Sequence, residues 1–276
     1  MATELTRLIE LFQLPFMQRA LLGGVLTGVM GGMLGSFTIL RQLSFFSDAL
    51  GHSALLGISL GVLLGLNPAV VVLPFAVLFA LGVTYLLTHT RLWTDALLNV
   101  IYSSSLAISI IILSFVGQYK GGLNTLLFGD ILAIGPGDLL ASGLLLLVCT
   151  LFIGLTLRTQ ILLTLHEPLA IARGVAVTPH RTAFIVLLAL VVAVSIKAIG
   201  VLLVSAFVVI PACAARLLSR TFTSYVVRSA GLGALSAVLG IGVSAAFNLP
   251  SGPSIVATQL AFFVLAMALP TLASRP

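Results

Sequence analysis

The chain has 276 residues, of which 60% are hydrophobic and only 7% charged, whereas a soluble domain carries roughly 25% charged residues. That balance excludes a water-soluble protein and predicts a polytopic, all-α membrane protein built as one integral domain over 1–276. The net charge of +6 does not point to nucleic acid, because the 13 Lys and Arg are spread over loops and the ends of apolar runs, where they act as topology signals.

Residues 1–18, with Glu4, Arg7 and Glu10 among Leu and Phe, read as a short amphipathic helix at the membrane interface, ending near Pro15. No cleavable signal peptide is expected, since the first apolar run extends for a full bilayer span. That span is 19–40. It holds Gly24, Gly28 and Gly32 at spacings of four, which permits close packing against a neighbouring helix. Arg41-Gln42-Leu43-Ser44 makes a tight connection to a second helix at 46–66, and Asn67-Pro68 starts a third at 68–88. After a polar loop, a fourth covers 95–117. Residues 118–137 mix Lys120-Gly121-Gly122 with Gly135-Pro136-Gly137 and read as a loop with a short, partly buried helix. A fifth span covers 138–157, followed by the longest non-spanning stretch, 158–181. The next apolar run is too long for one helix; Lys197 and Gly200 divide it into 182–198 and 199–215. Arg216, Arg220 and Arg228 mark a basic loop before spans at 229–247 and 254–270. The sum is about nine membrane segments, with eight to ten compatible with the lengths.

With 158–181 in the cytoplasm and nine alternating spans, nine Lys and Arg fall inside and four outside. The positive-inside rule then puts the N-terminus outside and the C-terminus in the cytoplasm. The cysteines, Cys149 and Cys213, sit far apart in apolar segments and read as small buried hydrophobes rather than a disulfide.

Between Arg41 and Arg91 the only charged side chain is Asp48, and His52 follows it by four residues, on the same helix face. An Asp at the centre of a membrane helix costs about 2.5–3.5 kcal/mol on insertion scales, and less near the ends. The pair therefore marks a functional position. Asp oxygen with His nitrogen is half of a divalent-metal site suited to Zn²⁺ or Mn²⁺. The alternative is that Asp48 caps its helix while His52 hydrogen-bonds inside the bundle. In 158–181, Glu167-Pro168-Leu169-Ala170-Ile171-Ala172 forms a short helical run stopped by Gly174. It is either a helix that docks a cytoplasmic partner or a plain interfacial connector. Lys197 can snorkel to the outer interface, His89 and His180 belong to solvated loops, and Asp130 caps or turns its loop. No Gly-x-x-x-x-Gly-Lys-[Ser/Thr] occurs, so this chain does not bind ATP through a P-loop.

At this point a family emerges. The string Leu34-Gly35-Ser36-Phe37-Thr38-Ile39-Leu40-Arg41, continued by Leu43-Ser44-Phe45-Phe46-Ser47-Asp48-Ala49-Leu50-Gly51-His52-Ser53-Ala54-Leu55-Leu56-Gly57, resembles the permease subunit of the zinc/manganese/iron ABC importers (ABC-3 type). Matching stretches follow in order: Leu127-Phe128-Gly129-Asp130-Ile131-Leu132-Ala133, then Glu167 to Gly174. Lys197 to Ser205 runs on to Ile210-Pro211-Ala212-Cys213-Ala214-Ala215-Arg216, and Pro250-Ser251-Gly252-Pro253-Ser254 closes the set. The resemblance covers 19–270. It implies a type II importer fold similar to the vitamin B12 permease but one N-terminal helix shorter. It implies a permease homodimer in a bacterial inner membrane, with cytoplasmic P-loop ATPase subunits and an extracytoplasmic metal-binding protein. Asp48 and His52 match the family's metal path; Glu167, Ala170 and Gly174 match its ATPase-contacting loop. The chain itself is then a transport subunit and not an enzyme, with no permanently bound cofactor and a transported metal ion as cargo. The manganese and iron branch usually carries Pro two residues before the Gly that follows the histidine, where this chain has Leu55. Leu55-Leu56-Gly57 and the Leu43-Ser44-Phe45-Phe46 approach resemble the zinc branch instead, and Gly51 stands where many relatives have Ser or Ala. The expected cargo is zinc, with manganese or iron as the alternative; a secondary transporter or channel is the rival of another class.

Overall fold

The computed structural model describes residues 12–90, 92–115, 129–201 and 203–268. All their regular elements are helices: α1 Pro15–Leu40, α2 Phe46–Leu63, α3 Pro68–His89, α4 Thr94–Phe115, α5 Pro136–Leu165, α6 Glu167–Ala172, α7 Val177–Ile199, α8 Val204–Leu218, α9 Phe222–Phe247 and α10 Ser251–Ala268. Among the described residues eight helices are long and apolar enough to cross a membrane, and α8, also apolar, is shorter. The chain is an all-α, multi-pass membrane protein.

Glycine decides the centre. α1 is wedged between α8 and α9. A Cβ on Gly28 would overlap the carbonyl of Gly233 in α9, one on Gly233 would overlap that of Gly28, and one on Gly32 would overlap that of Ser229. On the α8 side, Gly31 and Gly35 meet the carbonyls of Phe207 and Val208 in the same way. Backbones approach this closely only where side chains are missing, the usual basis of helix association in lipid. Ser229 seals the crossing by donating its hydroxyl to Gly32 O at 2.5 Å. Gly24 is looser, with Ile241 and Ile131 side-chain atoms 3.0 and 3.2 Å from an added Cβ. Around this axis, 72% of α1's most apolar stretch is buried, against 17% for the peripheral α5. The larger core lies among α1, α2, α3 and α7, with Phe37, Phe46, Phe184 and Leu188 fully enclosed. A smaller one, holding Ile131, Ile199, Phe207 and Ile255, sits under the turn at Asp130.

Several boundaries differ from the sequence expectation. Of the interfacial helix expected at 1–18, residues 1–11 lie outside the described residues. The chain bends at Leu14, and 15–18 already belong to α1, because Pro15 at the first helical turn opens the helix. The long connector expected at 158–181 shrinks to 166–176. α5 runs on through Arg158 and Gln160 to Leu165, and α7 begins at Val177. The polar Gln160 reads as a helix exit but is buried, with its side-chain carbonyl paired to Arg41. α9 begins at Phe222, not 229, since Thr221 Oγ1 accepts the Ser224 amide and starts the helix early. Gly200, at φ 87°, ends α7 where the sequence places the division. Residues 116–128, with Lys120, Leu127 and Phe128, lie outside the described residues, as do Arg91 and 269–276.

Candidate functional site

The N-terminus of α2 is set by the way α1 stops. Leu43 N–H donates to Thr38 O at 2.9 Å and Gln42 N–H to Ile39 O at 3.2 Å. Gln42 adopts a left-handed φ of 57°; this is the Schellman pattern, which usually has Gly at that position. Four residues after Gln42 α2 begins, with Asp48 in its first turn, where the helix dipole favours a carboxylate. No side chain caps α2, so Asp48 is not its N-cap. The helix is continuous through Gly51.

His52 Nε2 stands 3.9 Å from Asp48 Oδ1, beyond hydrogen-bond reach, and the side chains are 16% and 30% exposed. The His52 ring meets Tyr102 of α4 edge-on at 4.9 Å. Asp48 opens on a cavity of about 880 Å³ lined also by Gln42, Ser44, Asp95, Asn99 and Ser205. The sequence reading puts Asp95 and Asn99 in the fourth span, 95–117, and gives them no role. They stand four residues apart at the start of α4, the same spacing as Asp48 and His52, which is the signal that would have found them. The cavity-facing polar groups are all oxygen-bearing. Further along α4, Ser103, Ser104 and Ala107 continue an exposed, small and partly polar stripe. Among the described residues no three His, Cys, Asp or Glu are grouped to hold a metal ion, so within them Asp48 and His52 provide at most two donors.

On α6, Glu167 forms an ion pair with Arg181 of α7. Ala170, expected to face a partner, is fully buried within the chain. The outward apolar side chains are Leu169 and Ile171, 41% and 59% exposed. Gly174, at φ 74° with open space around it, ends α6 with the bonds Gly174 N–H to Ile171 O and Val175 N–H to Ala170 O. At the opposite end of the bundle Lys197 Nζ donates to Asp138 Oδ2 at 2.6 Å, a pairing across 59 residues in place of simple snorkelling. Asp130 Oδ1 accepts the Leu132 amide and caps a short 3-10 turn. The exposed His89 stacks on Tyr85 at 4.1 Å, and the half-buried His180 bonds the Ala176 carbonyl.

The model of the ABC 3 transport family matches residues 13–270. The chain belongs to that family. Among ABC 3 relatives, the high-affinity zinc uptake system membrane protein ZnuB of Haemophilus influenzae is 31% identical over 248 residues, covering 90% of this chain and 95% of its own. The manganese import system permease protein ScaB of Streptococcus gordonii is 34% identical over 255 residues, covering 91% and 90%. The solved structure of PsaBC from Streptococcus pneumoniae in complex with Fab superposes with a TM-score of 0.85 at 30% identity and 97% coverage of both chains. Named ABC 3 relatives thus divide between zinc and manganese.

Proposed function

We propose that the chain is the membrane-spanning subunit of an ATP-driven importer of a divalent transition metal, with zinc as the cargo. One observation carries this reading: Asp48 and His52 share one face at the start of a largely buried membrane helix, beside a cavity lined in part by polar groups. An ionisable pair in such a place is a path feature, because lipid penalises it otherwise. The imidazole nitrogen favours zinc over manganese, which prefers oxygen and follows zinc in ordinary affinity order. Two donors suit an ion that must also leave. Manganese is the second reading, supported by the oxygen-rich cavity and by the likeness to ScaB.

Two copies of the chain form the working unit. The exposed stripe of Asn99, Ser103 and Ser104 along α4 is costly against lipid, and a second copy turned toward it would enclose a watered path and double the metal donors. Cytoplasmic P-loop ATPase subunits dock on α6, and an extracytoplasmic binding protein delivers the ion. The N-terminus is outside and the C-terminus in the cytoplasm of a bacterial inner membrane, as the distribution of basic residues favours.

The deciding experiment is uptake into liposomes carrying the chain with its ATPase and binding protein. ATP-dependent accumulation of zinc, with manganese at least about tenfold slower, is expected, since a difference of 1.4 kcal/mol between the metals suffices for that. Manganese uptake blocked by zinc would keep the importer and change the cargo; equal uptake without the ATPase would overturn the class. Separately, Glu167→Ala frees Arg181 and loosens α6. Co-purification of the ATPase subunit is expected to fall several-fold, and unchanged recovery would remove Glu167 from the docking site.

A further inference from the structure

Arg41 caps the C-terminus of α1 and is held by three hydrogen bonds and two ring contacts. Its Nε donates to Thr164 Oγ1 at 2.9 Å, and its Nη2 to Gln160 Oε1 at 2.6 Å and to Gln160 O at 3.2 Å. The guanidinium lies 4.3 Å from the centre of the Phe184 ring and 5.7 Å from that of Phe37. One side chain thereby ties the end of α1 to the last two turns of α5 and to α7. Burial and the neighbouring Arg181 pull its pKa down to about 10, against an upward pull from Glu167; it stays charged at neutral pH. A planar fork stacked on a ring and bonded to three acceptors is a task that Lys cannot reproduce.

The position of this anchor is what matters. Arg41 shares a cavity of about 370 Å³ with Thr164, Glu167 and Arg181, on the α6 side. Gln42 lines that cavity and also the larger one that holds Asp48, Asp95 and Asn99. The turn is therefore the wall between α6 and the metal path. Its left-handed Gln42 is a conformation that a residue with a Cβ keeps only when its surroundings impose it. The next residues, Leu43 to Phe45, lead straight into the α2 turn bearing Asp48.

We propose that the Arg41–Gln42 turn relays movement of α6 to the Asp48 end of α2, with Arg41 as the positioning residue that holds the turn to Gln160 and Thr164. The inference rests on the importer reading above. Contiguous packed and hydrogen-bonded groups are the physical carriers of such coupling, provided that both ends bias the same element. Here α6 acts through the Glu167–Arg181 pair beside Arg41, and the metal path acts through Gln42.

The test uses the assembled importer in liposomes and reads three quantities from one preparation: recovery of the ATPase subunit, ATP hydrolysed, and metal accumulated. Arg41→Lys keeps the charge and loses the fork. It is expected to retain the ATPase subunit and hydrolyse ATP within about twofold of the unaltered chain, while uptake falls about tenfold, so that ATP used per ion rises at least about fivefold. Gln160→Leu, which removes the anchor's partner without touching the turn, is expected to raise the same ratio and carries the test if Arg41→Lys does not assemble. Gln160→Glu restores an acceptor and is expected to restore the ratio. A merely structural role would lower hydrolysis and uptake together, and an unchanged ratio in both Arg41→Lys and Gln160→Leu overturns the relay. Failure of the unaltered chain to show ATP-dependent uptake would instead overturn the importer reading, and the relay with it.

Discussion

Asp48→Ala and His52→Ala are each expected to lower ATP-dependent metal uptake by at least about 100-fold, since even groups that only orient a metal's ligands carry roughly 10–100-fold. Membrane insertion and recovery of the ATPase subunit should be unaffected, because among the described residues neither side chain makes a hydrogen bond that holds two helices together; their 3.9 Å approach lies within one helix. Uptake by the purified, reassembled importer is the measurement. A bland role makes a different forecast. If Asp48 served only the positive end of α2, its removal would cost about 0.3–1 kcal/mol of stability and leave transport standing. Asp48→Asn separates the two further, because it preserves shape and removes the charge. Normal transport by both alanine variants would take the metal path away from this face of α2.

The second large effect concerns the helix crossing at the centre. Gly28→Val and Gly32→Val each push a branched side chain into a backbone carbonyl of α9, and nothing flexible stands there to yield. Overpacking of a fitted core costs about 1–3 kcal/mol. Rigid backbone on both sides puts these variants at the upper end, and Gly32→Val also displaces the hydroxyl of Ser229 from its bond. The thermal midpoint of the detergent-solubilised protein should drop by several degrees, and the amount reaching the membrane should drop with it. Gly154→Ala in α5 is the matching control. Its added methyl meets nothing within 4 Å, so it should leave the midpoint unchanged or slightly raised. Equal behaviour of all three variants would mean that α1 and α9 do not cross where the glycines sit.

Much of this was legible in the sequence because lipid is an exacting solvent. Apolar runs of bilayer length, a lone carboxylate inside one of them, and glycines at intervals of four each have one cheap physical explanation, so the all-helical membrane class and the shared face of Asp48 and His52 could be read directly. What escaped is relational. Gln160 looks like a helix exit until Arg41, 119 residues away, supplies its partner. Asp95 looks like no more than the polar start of a membrane span until α4 lays it along the cavity of Asp48. Ala170 sits in a segment that suggests an outward contact, but the six-residue α6 turns it inward and leaves Leu169 and Ile171 facing out. Lys197 has stem enough to reach the interface, and nothing local announces Asp138. Hydropathy records the price of being in the membrane and says nothing about which neighbour removes it.

The glycine crossing also bears on how the protein is made. α1 is the first of the described membrane helices to be synthesised, yet the serine that closes over it lies 197 residues further along the chain. At roughly 5–20 residues per second, ribosomes take about 10–40 s to deliver that partner. Throughout the interval α1 is inserted with its smoothest face unclaimed, and α2 to α7 arrive around it while the groove stays open. The last third of the chain thus completes the middle of the molecule, and a nascent chain stopped before α9 holds a finished rim around an unfinished centre.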